Sequence, residues 1–133
     1  MSNPVALDRY LSRWRHRPFA WGQADCVRFA AGWVALVTGR DPVAGTEGQY
    51  VDANAARRLM SRLTGSADLI AATTAVLGSP RPEPLTAGLG DVVAIETAHG
   101  PALGLCVGPA VAVVGREGMV ACPITAVLAA WRL

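Results

Sequence analysis

The hydrophobic period of this chain changes once, and that change limits what it can fold into. Up to Gly78 the apolar residues recur at helical spacing; from Asp91 onward they run in short segments separated by Gly and Pro turns. Between the two lies Ser79-Pro-Arg-Pro-Glu-Pro84, whose prolines rule out both helix and central strand and favour an extended connector. Helices first and strands afterwards spell an α+β chain, a helical layer packed on an antiparallel sheet. The part after the connector is too short for a core of its own, so one domain is expected over 1–133. Within it, 1–17 carries an N-terminal helix, 18–78 is the helical half, 79–90 the connector and 91–133 the sheet half.

Caps bound the helices. Asn3 followed by Pro4 opens a helix over 3–15, with Leu7, Tyr10, Leu11 and Trp14 on one face. Asp25 opens the next, Cys26 to Thr38, with Phe29, Ala30, Trp33 and Val37 together and Gly39 as the left-handed stop. Asp52 opens a helix to about Leu63, with Ala55, Leu59, Met60 and Leu63 inward and Gly65 as its stop; Ser66 opens another, from Ala67 to about Leu77, ended by Gly78. Strands are predicted over 92–95, 102–107, 111–114 and 118–122, with hairpin turns at 108–110 and 115–118. Pro123 starts a short helical turn, and 130–133 returns as an edge strand. These strands are almost continuously apolar, which predicts cover on both faces of the sheet.

Composition removes several function classes. A net charge of +2 is too small to imply nucleic acid, no apolar run reaches the length of a membrane span, and the N-terminus lacks the apolar region of a secretory signal. Three cysteines at 26, 106 and 122, no CxxC and two histidines argue against a disulfide framework or a zinc site and for a reducing compartment; no metal or other cofactor is expected. Hydrophobic residues at 52% against charged residues at 17% suggest that a partner covers part of the surface. Arg9, Arg13, Arg15, His16 and Arg17 form a basic cluster, read as a solvated helix face with salt bridges rather than as an anion or nucleic-acid contact.

Chemistry concentrates in Pro18-Phe-Ala-Trp-Gly-Gln-Ala-Asp-Cys-Val-Arg28. Pro18 to Trp21 is an extended apolar arm, Gly22-Gln23-Ala24 a turn, and Cys26 falls in the first turn of a helix capped by Asp25. A helix N-terminus offers unpaired N–H groups and partial positive charge, both of which favour thiolate. The arrangement is the local geometry of papain-type cysteine enzymes, although a cysteine in an apolar helix is also an ordinary small core residue.

The motif Phe19-Ala-Trp-Gly-Gln-Ala-Asp-Cys26 resembles the Tyr-x-Trp-Gly-Gly-x-Asp-Cys signature of the NlpC-type peptidases. These are papain-like enzymes that cut peptide bonds in peptidoglycan and occur as bacterial hydrolases and in phage tail tips. Gly90-Asp-Val-Val-Ala-Ile95 resembles that family's Gly-Asp-Leu-Val strand opening, and Leu103-Gly-Leu-Cys-Val-Gly108 its His-Val-Gly-Ile-Tyr-Leu-Gly segment. The resemblance implies a papain-like fold with Cys26 at the nucleophile position and a cleft built from Phe19, Trp21, Gly22, Asp25, Asp91 and Ala102. It also exposes departures. Aligned on Gly104 and Gly108, the catalytic His position is Ala102; the position of the group that orients that His is about Val114; and Phe19 lacks the family's hydroxyl. A thiol peptidase needs a base and something to hold it.

His99 is the histidine nearest the vacated position, about 10 Å away along an unbent strand. It would serve only as an unorthodox base; His16, before the arm, is a weaker choice. Asp25 reads as a cap, since a neighbouring carboxylate opposes thiolate formation. Asp91 reads as a turn-ordering residue, Cys106 and Cys122 as core, and Trp21 and Trp131 as core anchors or interface contacts. The expectation is a structural or assembly component of a phage, prophage or gene-transfer-agent tail tip built on a degenerate NlpC-type domain. It would be assembled in the bacterial cytoplasm without a signal peptide, with other tail proteins as partners. The alternatives are an active peptidase or amidase on peptidoglycan stem peptides, with Cys26 as nucleophile and His99 as base, and a bacterial module that binds cell-wall peptide without cutting it.

Overall fold

The computed structural model describes residues 3–133. Four helices precede a five-stranded antiparallel sheet: α1 (Pro4–Trp14), α2 (Cys26–Thr38), α3 (Ala53–Thr64), α4 (Leu69–Leu77), β1 (Val92–Thr97), β2 (Gly100–Cys106), β3 (Ala110–Gly115), β4 (Gly118–Pro123) and β5 (Val127–Trp131). The spatial order is β4-β3-β2-β1-β5, so successive hairpins build most of the sheet and β5 returns to the free side of β1. The α+β expectation therefore holds at the level of helices followed by an antiparallel sheet.

The helix ends follow the side chains that satisfy free N–H groups. Asn3 accepts from the amides of Val5 and Ala6, Asp25 from Arg28, Asp52 from Ala55 and Asp68 from Ala71. The last of these corrects the expected start of α4. Ser66 lies two residues too early, and its Oγ instead accepts from the Asp68 amide, 3.1 Å away. Leu63, expected inward, is 55% exposed, because α3 packs chiefly on α4 at the rim and buries only Leu59 fully. The last strand runs over 127–131 rather than 130–133. A short 3-10 turn at Ile124–Ala126 reverses the chain sooner, and Trp131 packs into the core from the edge strand.

Both faces of the sheet are covered, and the pleat sorts the side chains between them. Val92, Ala94, Leu103, Leu105, Ala112 and Trp131 face the helices and pack with the aromatic cluster Tyr10, Trp14, Phe29 and Trp33. Val93, Ile95, Cys106, Val111, Val113, Val127 and Ala130 form a second core on the far face, with Ala87, Ile124 and Ala126 against it. The residue pairs Ile95–Ala102 and Leu105–Ala112, directly opposite across neighbouring strands, fix this phase for β2.

Two buried polar contacts lock α2 and the connector to the sheet. Trp33 Nε1 donates to the carbonyl of Gly90 at 2.8 Å. The Asp91 carboxylate accepts from the amide of Gly88 at 2.9 Å and from Arg81 Nε at 2.6 Å, while the Arg81 amide donates to the Ala130 carbonyl. The connector is thus pinned at Arg81 and turns through a 3-10 segment at Pro84–Thr86 before β1 begins.

Candidate functional site

Cys26 is the first residue of α2, and the chain before it is a closed turn rather than a free arm. Phe19 N–H donates to the carbonyls of Gly115 and Arg116, tying the arm to the β3–β4 hairpin. Ala20 and Ala24 bond each other through both amides, which folds Trp21-Gly22-Gln23 into a tight loop. Gly22 adopts φ +75°, and a Cβ there would stand 2.5 Å from the Tyr50 carbonyl, so only glycine fits.

Asp25 holds this loop, the helix and a distant segment together. One carboxylate oxygen accepts from the Arg28 amide as the helix cap. The other accepts from the Gly22 amide at 2.9 Å and from the Tyr50 hydroxyl at 2.6 Å. The side chain is 1% exposed, and Tyr50 is itself buried. Burial first, and the Asp25 carboxylate second, push the Tyr50 hydroxyl far above its ordinary pKa, so it stays a donor at any physiological pH. Arg28 extends the network through Thr46 Oγ1 at 3.0 Å. Trp21 lies edge-on to both Phe19 and Tyr50 and is partly open to solvent, so it caps the loop from outside rather than serving as core; Trp131 is fully buried.

The thiol faces the helix-side core, where Leu103 and Val114 also pack. Burial pushes Cys26 up to about 11; the Leu103 backbone amide acts against this, the Asp25 carboxylate adds to it, and the amides of Cys26 and Val27 oppose it more weakly. The helix terminus therefore loses to desolvation, and the group is a neutral thiol at neutral pH. Neither histidine acts on it. His99 is exposed in the β1–β2 turn, where its amide donates to Thr97 Oγ1, and His16 is exposed beyond the end of α1.

Ala102 requires a correction. Its side chain points to the far face with Ile95, away from α2, and cannot fill the space beside Cys26. The strand residue on the side of the thiol is Leu103. Aligning β2 on its glycines shifts the phase by one residue, and one residue reverses the face. The sequence did contain the phase: the bulky Leu103, Leu105 and Val107 alternate with the small Ala102, Gly104 and Cys106. Val114 packs on the helix side. Asp91 is buried in its contact with Arg81 and Gly88 at the start of β1 and is committed to the turn. Tyr50, Thr46 and Arg81 escaped the sequence reading because each reaches its partner from a loop or connector without a period of its own.

Among the described residues, no three His, Cys, Asp or Glu side chains come close enough together to hold a metal ion, and all three cysteines are free. No helix is long and apolar enough to cross a membrane among these residues. What the arrangement can do chemically is narrow: a neutral thiol over a set of backbone amides, next to a rigid aromatic loop, with no imidazole to take its proton.

No curated protein and no solved structure matches the chain. A family match spans residues 2–133, nearly its whole length, and on that match the chain belongs to the family described as a domain of unknown function, DUF6950.

Proposed function

We propose that this chain is a non-catalytic assembly component built on a degenerate NlpC-type, papain-like domain, with a phage, prophage or gene-transfer-agent tail as its setting and other tail proteins as its partners. The observation that carries the loss of catalysis is the surrounding of Cys26. The thiol is raised to about 11, the Leu103 amide is its strand-side polar neighbour, and both histidines stand elsewhere. Acyl transfer by a thiol needs a base within hydrogen-bond reach, and this site offers none. The setting rests on the resemblance of the 19–26 motif and on a surface that keeps large apolar side chains exposed, Val51 and Leu85 among them.

The loop around Trp21 is built for rigidity rather than turnover. Asp25 spends both oxygens on the loop, the helix and Tyr50, so it is not available as an acid or base. A rigid, partly exposed tryptophan on such a loop suits a binding contact. The test is twofold. Purified particles from a strain carrying the gene should contain the chain in stoichiometric amount, and Cys26→Ser should assemble as the parent does. Release of peptides from purified peptidoglycan by the parent, lost in Cys26→Ser, would establish the peptidase reading instead.

A further inference from the structure

The basic cluster at the end of α1 does not behave as a salt-bridged surface. Arg13 and Arg17 lie over the rings of Tyr10 and Trp14, with their Cζ atoms 5.5 and 4.2 Å from the ring centroids. Arg17 also donates to the Gln23 carbonyl, and Arg28, from α2, donates to Thr46 Oγ1. All three arginines line one depression of about 300 Å³ between α1 and α2, and Glu47 lines it too. Among the described residues the one ion pair is Arg81–Asp91, so Arg13, Arg17 and Arg28 have no carboxylate within pairing distance. Three arginines and one carboxylate line the depression, and the buried Asp25 carboxylate near Arg28 is already bonded to Gly22, the Arg28 amide and Tyr50, so the cations rest on ring faces and neutral oxygens.

We propose that this depression binds a phosphate dianion, either free or as the terminal monoester of a small molecule. Guanidinium forks match the oxygen geometry of phosphate, and each can give two parallel donors. Arg17 and Arg28 each use one N–H on the protein, which leaves most of their donors free. The three cations outnumber the two carboxylates nearest them, Glu47 and Asp25, and a phosphate presents enough oxygens to meet three forks, whereas a carboxylate presents two. A polynucleotide fits less well. The whole chain carries only +2, and Tyr10 and Trp14 are buried beneath Arg13 and Arg17, which leaves no ring face for a base to stack on. The site owes nothing to Cys26 and stands apart from the reading of the chain as an assembly component.

The experiment is calorimetric titration of the full chain with inorganic phosphate and, separately, with glycerol 1-phosphate, at constant ionic strength maintained with chloride. Saturable one-to-one binding is expected, and the ester binding more tightly than phosphate would identify a monoester as the ligand. Arg13→Gln and Arg28→Gln should each weaken binding about tenfold, the scale of one lost charge-assisted contact. Arg9→Gln, outside the depression, should leave it unchanged. Glu47→Gln is the second line of evidence. It removes the opposing carboxylate from an exposed loop position and should tighten binding severalfold whatever the arginine variants do to folding. Absence of saturation at about 5 mM ligand, a level below which specific affinities ordinarily lie, would overturn the proposal. So would equal binding by the Arg9, Arg13 and Arg28 variants, or weaker binding by Glu47→Gln.

Discussion

The hydroxyl of Tyr50 donates a 2.6 Å hydrogen bond to the carboxylate of Asp25, across 25 residues of chain. That bond joins the long loop after α2 to the turn that sets the start of α2. Both groups are buried, so neither can be made good by water if the other is removed. Tyr50→Phe should cost about 2 kcal/mol, the range for a hydrogen bond to a charged group. Asp25→Ala strands Tyr50, the Gly22 amide and the Arg28 amide together and should cost about 4 kcal/mol. Urea unfolding with an unchanged slope is the measurement, and equal stability of Tyr50→Phe and the parent would show that the bond contributes nothing.

Gly22 tests the same loop from its backbone. An alanine there must take φ near +75° and place its Cβ against the Tyr50 carbonyl. Strain and overpacking together should cost about 3 kcal/mol. The expected loss is larger than for Gly39→Ala, where φ is also positive but no atom stands within 4 Å. Equal losses at the two glycines would mean that dihedral strain alone matters and the Tyr50 contact does not.

Gly32 makes room for Tyr10. The Tyr10 hydroxyl donates to the Phe29 carbonyl at 2.6 Å, and a Cβ on residue 32 would collide with that oxygen. Gly32→Ala should therefore destabilise by about 2 kcal/mol despite alanine's better helix propensity. Combined with Tyr10→Phe, which removes the obstructing oxygen, the loss should fall short of the sum of the single changes by at least about 0.5 kcal/mol. Additive effects would place the strain elsewhere.

How much of this was legible in the sequence depends on the range of each contact. The caps at Asn3, Asp25 and Asp52, the period of α1 and α2, and the switch to strands after the connector are local and could be read. Asp68 was missed because Ser66 offered a competing cap two residues earlier, and only packing decides between them. Asp25 as a cap was readable; its second oxygen, given to Gly22 and Tyr50, was not, because Tyr50 sits in a loop with no period. Nothing in the proline-rich connector marks Arg81 out, yet it pairs with Asp91 and its amide donates to Ala130 of β5. Ala102 failed for a different reason: glycine matches carry no information about which face a strand residue takes, whereas the alternation of bulk does.

The Arg81–Asp91 pair gives a fourth prediction. Asp91 is almost fully buried and Arg81 about a quarter exposed. Asp91→Ala removes the partner of Arg81 and the acceptor of the Gly88 amide and should cost about 3 kcal/mol. Arg81→Ala should cost less, since the carboxylate keeps the Gly88 amide. Unfolding in denaturant ranks the two, and the reverse order would mean that the arginine, not the carboxylate, organises the turn.

The alkaline limit of stability follows from four thiols and phenols, Cys106 among them, its thiol pushed up chiefly by burial. Cys26 is raised from 9.0 to about 11 and Tyr10 from 10.0 to about 12, each chiefly by burial, and Tyr50 is raised by burial and by Asp25. In each case the fold favours the protonated form, so the unfolded chain ionises first. The stabilising contribution is complete below the unfolded value and is lost as pH rises through the folded one. For Cys26 that window runs from about pH 9 to 11 and for Tyr10 from about 10 to 12; for Tyr50 the loss begins near 10. The urea midpoint should therefore fall steadily above pH 9, and Cys26→Ala should shrink the first part of the decline, which it shares with Cys106. Iodoacetamide reports the same thiol directly. Alkylation at pH 7 should be on the order of a hundredfold slower than for an unperturbed cysteine, because two pKa units remove that much thiolate. The rate should climb without a plateau until pH approaches 11. A plateau reached below pH 7 would show an activated thiolate and would overturn the reading of Cys26 as an unused nucleophile position.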